Sequence, residues 1–157
     1  MELKRVVVTG LGAISPLGSD LASTWEGMKA GRSGAAPITL WDASKHKTQF
    51  ACEVKGFDPA EHFDRKEARK FDRYTMFALV SAEEALKDSG LDLESADKNR
   101  IGVIFTSGVG GIKTFEDEML DYNPERGPRF NPFFIPKMIA DMAAGHISMA
   151  YGFHGPN

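Results

Sequence analysis

Two short runs limit what this chain can fold into: RVVVTG at residues 5–10 and RIGVIFTSG at residues 100–108. Both are rich in β-branched residues, neither alternates apolar with polar, and both run into glycine. A strand with one wet face would alternate, so these read as strands buried on both faces, as in a parallel sheet covered by helices. The stretches between and after them have helical periods. In SDLASTWEGMKAG, residues 19–31, Asp20 or Ser19 caps a helix, Leu21, Trp25 and Met28 share a face, and Gly31 sits at the C-terminal cap. Over 66–89, Phe71, Tyr74, Thr75, Ala78, Leu79, Ala82 and Leu86 recur at three- and four-residue steps before Gly90. A third helix is predicted over 112–121. A fourth runs from Pro136 to about 151, striped by Met138, Met142, Ala143, His146 and Met149 or Ala150. Residues 32–63 read as loop with short strands around 48–54. Strands alternating with helices predict an α/β fold with a mixed, largely parallel sheet.

The elements do not balance. A parallel sheet of two strands cannot cover the apolar faces at 66–89 and 136–151, so either strands are hidden or the polypeptide is part of something larger. Composition leaves the class open but excludes others. Of 157 residues 42% are hydrophobic and 26% charged, as in a soluble globular protein. A net charge of −3 argues against bulk attraction to nucleic acid. No apolar run approaches the roughly 20 residues that span a bilayer, and the N-terminal run is too short for a signal peptide. A lone cysteine, Cys52, rules out an internal disulfide framework and fits a reducing compartment. The expectation is a soluble cytoplasmic protein with no membrane or nucleic-acid partner.

Several motifs invite a chemical reading. TGLGAISPLG follows the first strand as a dinucleotide loop would, but the third glycine of G-x-G-x-x-G is replaced by Ser15, which favours tight-turn glycines. Cys52, in QFACEVKGF, lacks the helix N-terminus that would activate a thiol and is expected to be structural and buried. His46, His62, His146 and His154 have no metal-ligand spacing, and neither metal nor cofactor is expected. His146 is expected to be a satisfied core residue and His154 a turn residue. RKEARKFDR, residues 65–73, crowds Arg65, Lys66, Arg69, Lys70 and Arg73 at a helix start, where cations oppose the helix dipole. They read either as a solvated face or as a docking patch for an acidic partner. Gly108, Gly110 and Gly111 of FTSGVGG permit close approach by a ligand, another chain or another element. In FNPFFIP, Phe133 and Phe134 cannot both face one core, so one reaches a partner surface or a pocket.

RVVVTGLGAISPLG, RKEARKFDRYTMFALVSAEEALKDSGL, FTSGVGG and NPFFIPKMIADMAAGHISMAYGFHGPN, in this order and spacing, resemble the first part of the bacterial β-ketoacyl-acyl-carrier-protein synthase II family across essentially the whole chain. The resemblance implies a thiolase-like fold, with residues 1–157 forming an incomplete first half of it. It also implies an acyltransferase that elongates fatty acids by decarboxylative condensation on a cysteine thiolate, assisted by two histidines. Neither Cys52 nor any histidine here matches those positions, so this chain is expected to be a fragment without a catalytic centre, inactive alone. Lys66, Arg69 and Lys70 match the family's patch for acyl carrier protein, and Arg129 a basic position contributed across a homodimer. Phe130 stands where relatives often carry a second basic residue, which weakens that position. Val109 matches a residue lining the acyl tunnel, and Phe133 and Phe134 the loop entering the partner subunit's tunnel. Two rivals share these features: the non-catalytic partner subunit of a polyketide-type condensing pair, and a carrier-protein-binding module.

Overall fold

The structure, a computed structural model, describes residues 3–126 and 129–157. It divides into two compact units, one running to Phe57 and including Ser81–Leu91, the other made of Asp58–Val80 and Asp92–Asn157.

In the first unit, helix α1 (Leu21–Lys29) starts at a capping box. The Asp20 carboxylate accepts from the Ser23 amide at 2.6 Å, and the Ser23 hydroxyl accepts from the Asp20 amide at 3.4 Å. Ala30 closes the helix and Gly31, at φ +65°, turns the chain away. Strands β1 (Ala36–Pro37) and β2 (Phe50–Ala51) pair antiparallel, Ala36 opposite Ala51 and Pro37 opposite Phe50. Cys52 follows β2 and is exposed, against the expectation of a buried thiol. The short ribbon leaves even Phe50 largely in solvent and gives the thiol no layer to sit under.

The second half of helix α3 (Arg73–Ser89) belongs to this unit and receives the glycine loop. A Cβ on Gly10 would lie 2.2 Å from the Ala85 carbonyl oxygen, and one on Gly12 2.1 Å from that of Ser81, so only glycine permits the contact. Glu84 accepts from the Ala13 and Leu21 amides and Asp88 from the Leu11 amide, each at 2.8 Å. Two carboxylates thus hold amides that a phosphate would need, which removes the nucleotide-loop reading. The expected tight turn is confined to Ser15 and Gly18, whose backbones bond each other in both directions.

Neither expected buried strand is found. Residues 5–10 and 101–107 are not in a sheet, and Val6, Val8 and Ile104 are 89%, 79% and 97% exposed. Their composition asks for strands on both edges and helices on both faces. Among the described residues the only sheet is the two-stranded β1–β2 ribbon.

The second unit opens with a correction as well. The single helix expected over 66–89 is broken into α2 (Arg65–Ala68) and α3. Each piece begins at an aspartate. Asp64 accepts from the Lys66 and Glu67 amides at 2.7 and 2.8 Å, and Asp72 from the Tyr74 amide at 3.2 Å. Helix α4 (Ile112–Asp121) lies where expected. The last predicted helix is also split, into α5 (Phe134–Met138) and α6 (Met142–Tyr151), and Gly152 closes α6 at φ +70°. At that break the Tyr74 hydroxyl donates to the carbonyl of Ile139. The buried residues of this unit include Thr75, Met76, Ala78 and Leu79 on α3, Ala143, Ala144 and Ile147 on α6, and Phe153. The terminal Gly-Pro segment lies along residues 101–103: the Gly155 amide donates to the Ile101 carbonyl and the Val103 amide to the Pro156 carbonyl, both at 2.9 Å. Gly102 and Gly155 make the approach possible, since Cβ atoms there would sit 2.5 and 2.6 Å from opposing backbone.

Candidate functional site

Two features of the second unit can meet a partner: the basic helix α2 and the glycine turn with its neighbours α4 and α5. Lys66, Arg69 and Lys70 are exposed, as is Arg65. The ion pairs among the described residues lie on α1, α3 and α4, and none includes these four cations. Asp64 at the cap offsets the conflict between cations and the positive helix end, which lets α2 start while its charges stay available. Beneath this helix Phe63 meets Phe71 edge-on at 5.5 Å, and Phe71 meets the His146 ring edge-on at 4.8 Å.

His146 is not the satisfied core residue that its stripe predicts. It is half-buried, and its Nε2 has no hydrogen-bond partner among the described residues. Burial lowers its pKa below 6.5 and the charge of Lys70 lowers it further, which favours the neutral ring. The helical stripe placed the residue inward, but a period cannot supply a hydrogen-bond partner.

The glycine turn packs against another part of its own unit. The Ser107 hydroxyl accepts from the Gly110 amide at 3.1 Å, and the Gly111 amide donates to the Met138 carbonyl at 3.0 Å. A Cβ on Gly110 would stand 2.1 Å from the Met138 oxygen, and one on Gly111 2.2 Å from the Lys137 oxygen. Of the three approaches that the glycines allow, the one made at Gly110 and Gly111 is by the C-terminal end of α5. Gly108 faces open space, and Val109 is 67% exposed.

Aromatic rings stack along the same region. Phe134 lies 6.2 Å from Phe115 and 5.6 Å from Phe130, which stacks on Tyr122 at 5.8 Å. The adjacent Phe133 has no part in this stack and is exposed. Helix α4 presents Ile112, Phe115 and Met119 to solvent on one stripe, while Lys113 pairs with Glu116 and Asp117 on another. Arg129, beside Phe130, is exposed and shares no hydrogen bond, ion pair or ring contact with the α2 cations among the described residues.

Sequence reasoning missed a buried pair in this unit. Asp72 accepts from the Thr114 hydroxyl at 2.5 Å, joining the start of α3 to the first turns of α4. An aspartate ahead of an apolar period, in KFDRYT, is an N-cap signal that could have exposed one half of it. Among the described residues no group of three His, Cys, Asp or Glu could hold a metal ion, and no helix is long and apolar enough to cross a membrane.

The sequence model for the β-ketoacyl synthase N-terminal domain matches residues 3–157. The chain belongs to that family. Over 157 aligned residues it is 45% identical to 3-oxoacyl-[acyl-carrier-protein] synthase 2 of Staphylococcus aureus (strain COL), an alignment covering 98% of this chain and 37% of the relative. It is 44% identical to the synthase of the same name from Synechocystis sp., over 100% of this chain and 38% of that protein. The chain therefore spans well under half the length of the curated relatives it matches. A type II PKS ketosynthase solved with its acyl-carrier protein is similar in fold, with TM-score 0.74 and 30% identity, over 97% of this chain and 40% of that one. The described residues thus carry part of the thiolase-like ketosynthase fold.

Proposed function

We propose that these residues are the amino-terminal part of a 3-oxoacyl-[acyl-carrier-protein] synthase that elongates fatty acids. The enzyme takes an acyl group from its carrier onto a cysteine thiolate, releasing the carrier thiol. Decarboxylation of malonyl-carrier protein then releases CO2 and leaves a carbanion, which attacks the acyl thioester and expels the cysteine thiolate as the β-ketoacyl product forms. Backbone amides stabilise the oxyanion that develops at the attacked carbonyl. Cys52 does not suit the nucleophile's role, since it is exposed and follows a strand instead of heading a helix. The nucleophile and its two histidines belong to polypeptide other than these 157 residues, and the chain alone is inactive.

The observation that carries this reading, beside family membership, is the set of exposed cations on and after α2 that make no ion pair among the described residues. Lys66, Arg69 and Lys70 dock the acidic carrier protein, and Arg129 adds a cation from the partner subunit of a cytoplasmic homodimer. Val109 lines the acyl tunnel. Phe133, exposed and outside the stack that holds Phe134, belongs to the dimer seam, and the open apolar stripe of α4 fits such an interface.

The test is a charge reversal in the complete enzyme, Lys66→Glu with Arg69→Glu. The expected result is a higher KM for acyl-carrier protein with kcat on a small acyl thioester nearly unchanged. Equal losses on both substrates would make the patch structural and remove its docking role.

A further inference from the structure

Asp72 is a buried carboxylate with no ion pair among the described residues, and burial of such a group is costly unless its oxygens are used. Both are. Oδ1 accepts from the Tyr74 amide at 3.2 Å and Oδ2 from the Thr114 hydroxyl at 2.5 Å. The first bond caps α3. The second has no part in capping, because it reaches a helix that begins some forty residues later. Thr114 lies in the first turns of α4, and α4 begins at Ile112 directly after the glycine turn. Oδ2 also adjoins the turn itself, since a Cβ on Gly111 would stand 2.9 Å from it.

The turn is therefore held on two sides. On one, the Gly111 amide bonds the Met138 carbonyl at the end of α5. On the other, the Asp72 carboxylate holds α4 through Thr114. Val109 sits between Gly108, which faces open space, and Gly110 at φ +80°. With only the Met138 bond left, the turn could pivot about it and carry Val109 along.

We propose that Asp72 is a positioning residue which, through Thr114, fixes the turn bearing Val109 and so sets the acyl length that the enzyme accepts. Because Asp72 also begins α3 immediately after the carrier-docking cations, one carboxylate registers the docking segment against the tunnel turn. This inference rests on the condensing-enzyme reading above.

The experiment uses the complete enzyme with acyl-carrier-protein substrates of graded chain length. Thr114→Val removes the inter-helix bond and leaves the α3 cap intact. The ratio of kcat/KM for long over short acyl chains is expected to change by roughly 2–30-fold, the range of measured coupling between linked sites. KM for the carrier protein alone should hold, and Thr114→Ser should restore the wild-type ratio. Asp72→Asn keeps one oxygen for Tyr74 but weakens the bond from Thr114, so it should move the ratio the same way by less. A wild-type length profile in folded Thr114→Val overturns the proposal. If that variant does not fold, an unchanged profile in Asp72→Asn overturns it instead. Failure of the functional reading would look different, because the parent enzyme would then not condense carrier-bound substrates at all.

Discussion

Glycine-to-alanine substitutions separate two costs that the turn at Gly110 combines. At Gly108 a Cβ meets nothing within 4 Å and φ is not positive, so alanine should be neutral or stabilise by about 0.4–1 kcal/mol through the unfolded chain. At Gly90, with φ +63° and open space, only the left-handed backbone is penalised, at about 1–2 kcal/mol. At Gly111, φ is −80° but the new methyl would stand 2.2 Å from the Lys137 oxygen. The seam must open there, which costs about 1–3 kcal/mol by overpacking. The Gly111–Met138 hydrogen bond is at risk as well, worth about 0.5–1.5 kcal/mol. Gly110 carries both penalties, φ +80° and a Cβ 2.1 Å from the Met138 oxygen, for a total of about 2–5 kcal/mol. That is a large share of the roughly 5–15 kcal/mol that holds a domain together. Urea unfolding of the four variants gives the comparison directly, as shifts in midpoint at constant slope. The expected order of loss is Gly110, Gly111, Gly90, Gly108. Should Gly110→Ala cost no more than Gly90→Ala, the turn is not clamped on α5 and the geometry argued for Val109 fails.

Glu84→Ala removes the acceptor of the Ala13 and Leu21 amides and should destabilise by about 2–4 kcal/mol, with faster hydrogen exchange at those two amides; unchanged exchange would show that the Glu84 carboxylate does not protect them. His146 binds its proton less readily folded than unfolded, so its contribution is complete above pH 6.5 and is lost as pH falls below that value. Thermal midpoints measured across this range should slope more steeply for the wild type than for His146→Gln, and parallel curves would show that the ring does not titrate with unfolding. In the complete enzyme Val109→Phe should shorten the longest acyl chain accepted, read from product lengths; an unaltered distribution would take Val109 out of the tunnel.

Helices α1 and α4 were legible because capping residues or apolar periods begin and end where the helices do. The breaks before α3 and before α6 were not, since the apolar period continues across Phe71 and Tyr74, and again across Met138 and Met142, as if the backbone were unbroken. At the first break the interruption is a local polar choice, the Asp72 side chain bonding the Tyr74 amide, whereas at the second the Ile139 carbonyl takes a bond from the distant Tyr74 hydroxyl. The runs at 5–10 and 100–108 have the composition of buried strands but leave Val6, Val8 and Ile104 exposed, because burial depends on neighbours that a run by itself does not report. For the site, the cations of α2 were visible in composition. Phe133 and Phe134 stand out by residue type as a pair that cannot share one core, whereas Val109 stands out only through the resemblance, which also supplies the tunnel role of all three. The Asp72–Thr114 bond joins residues distant in sequence whose types are individually ordinary, so no local pattern announces it.

The pairing of Val103 with Pro156 also has a temporal side. A ribosome adds roughly 5–20 residues per second, so the about 50 residues between these partners take on the order of 3–10 s to appear. Through that interval Ile101 and Val103 wait on a nascent chain without the backbone that will later lie along them. An exposed apolar stretch of this kind is a natural binding point for a chaperone during translation, and the glycine at position 155 determines when that binding point is withdrawn.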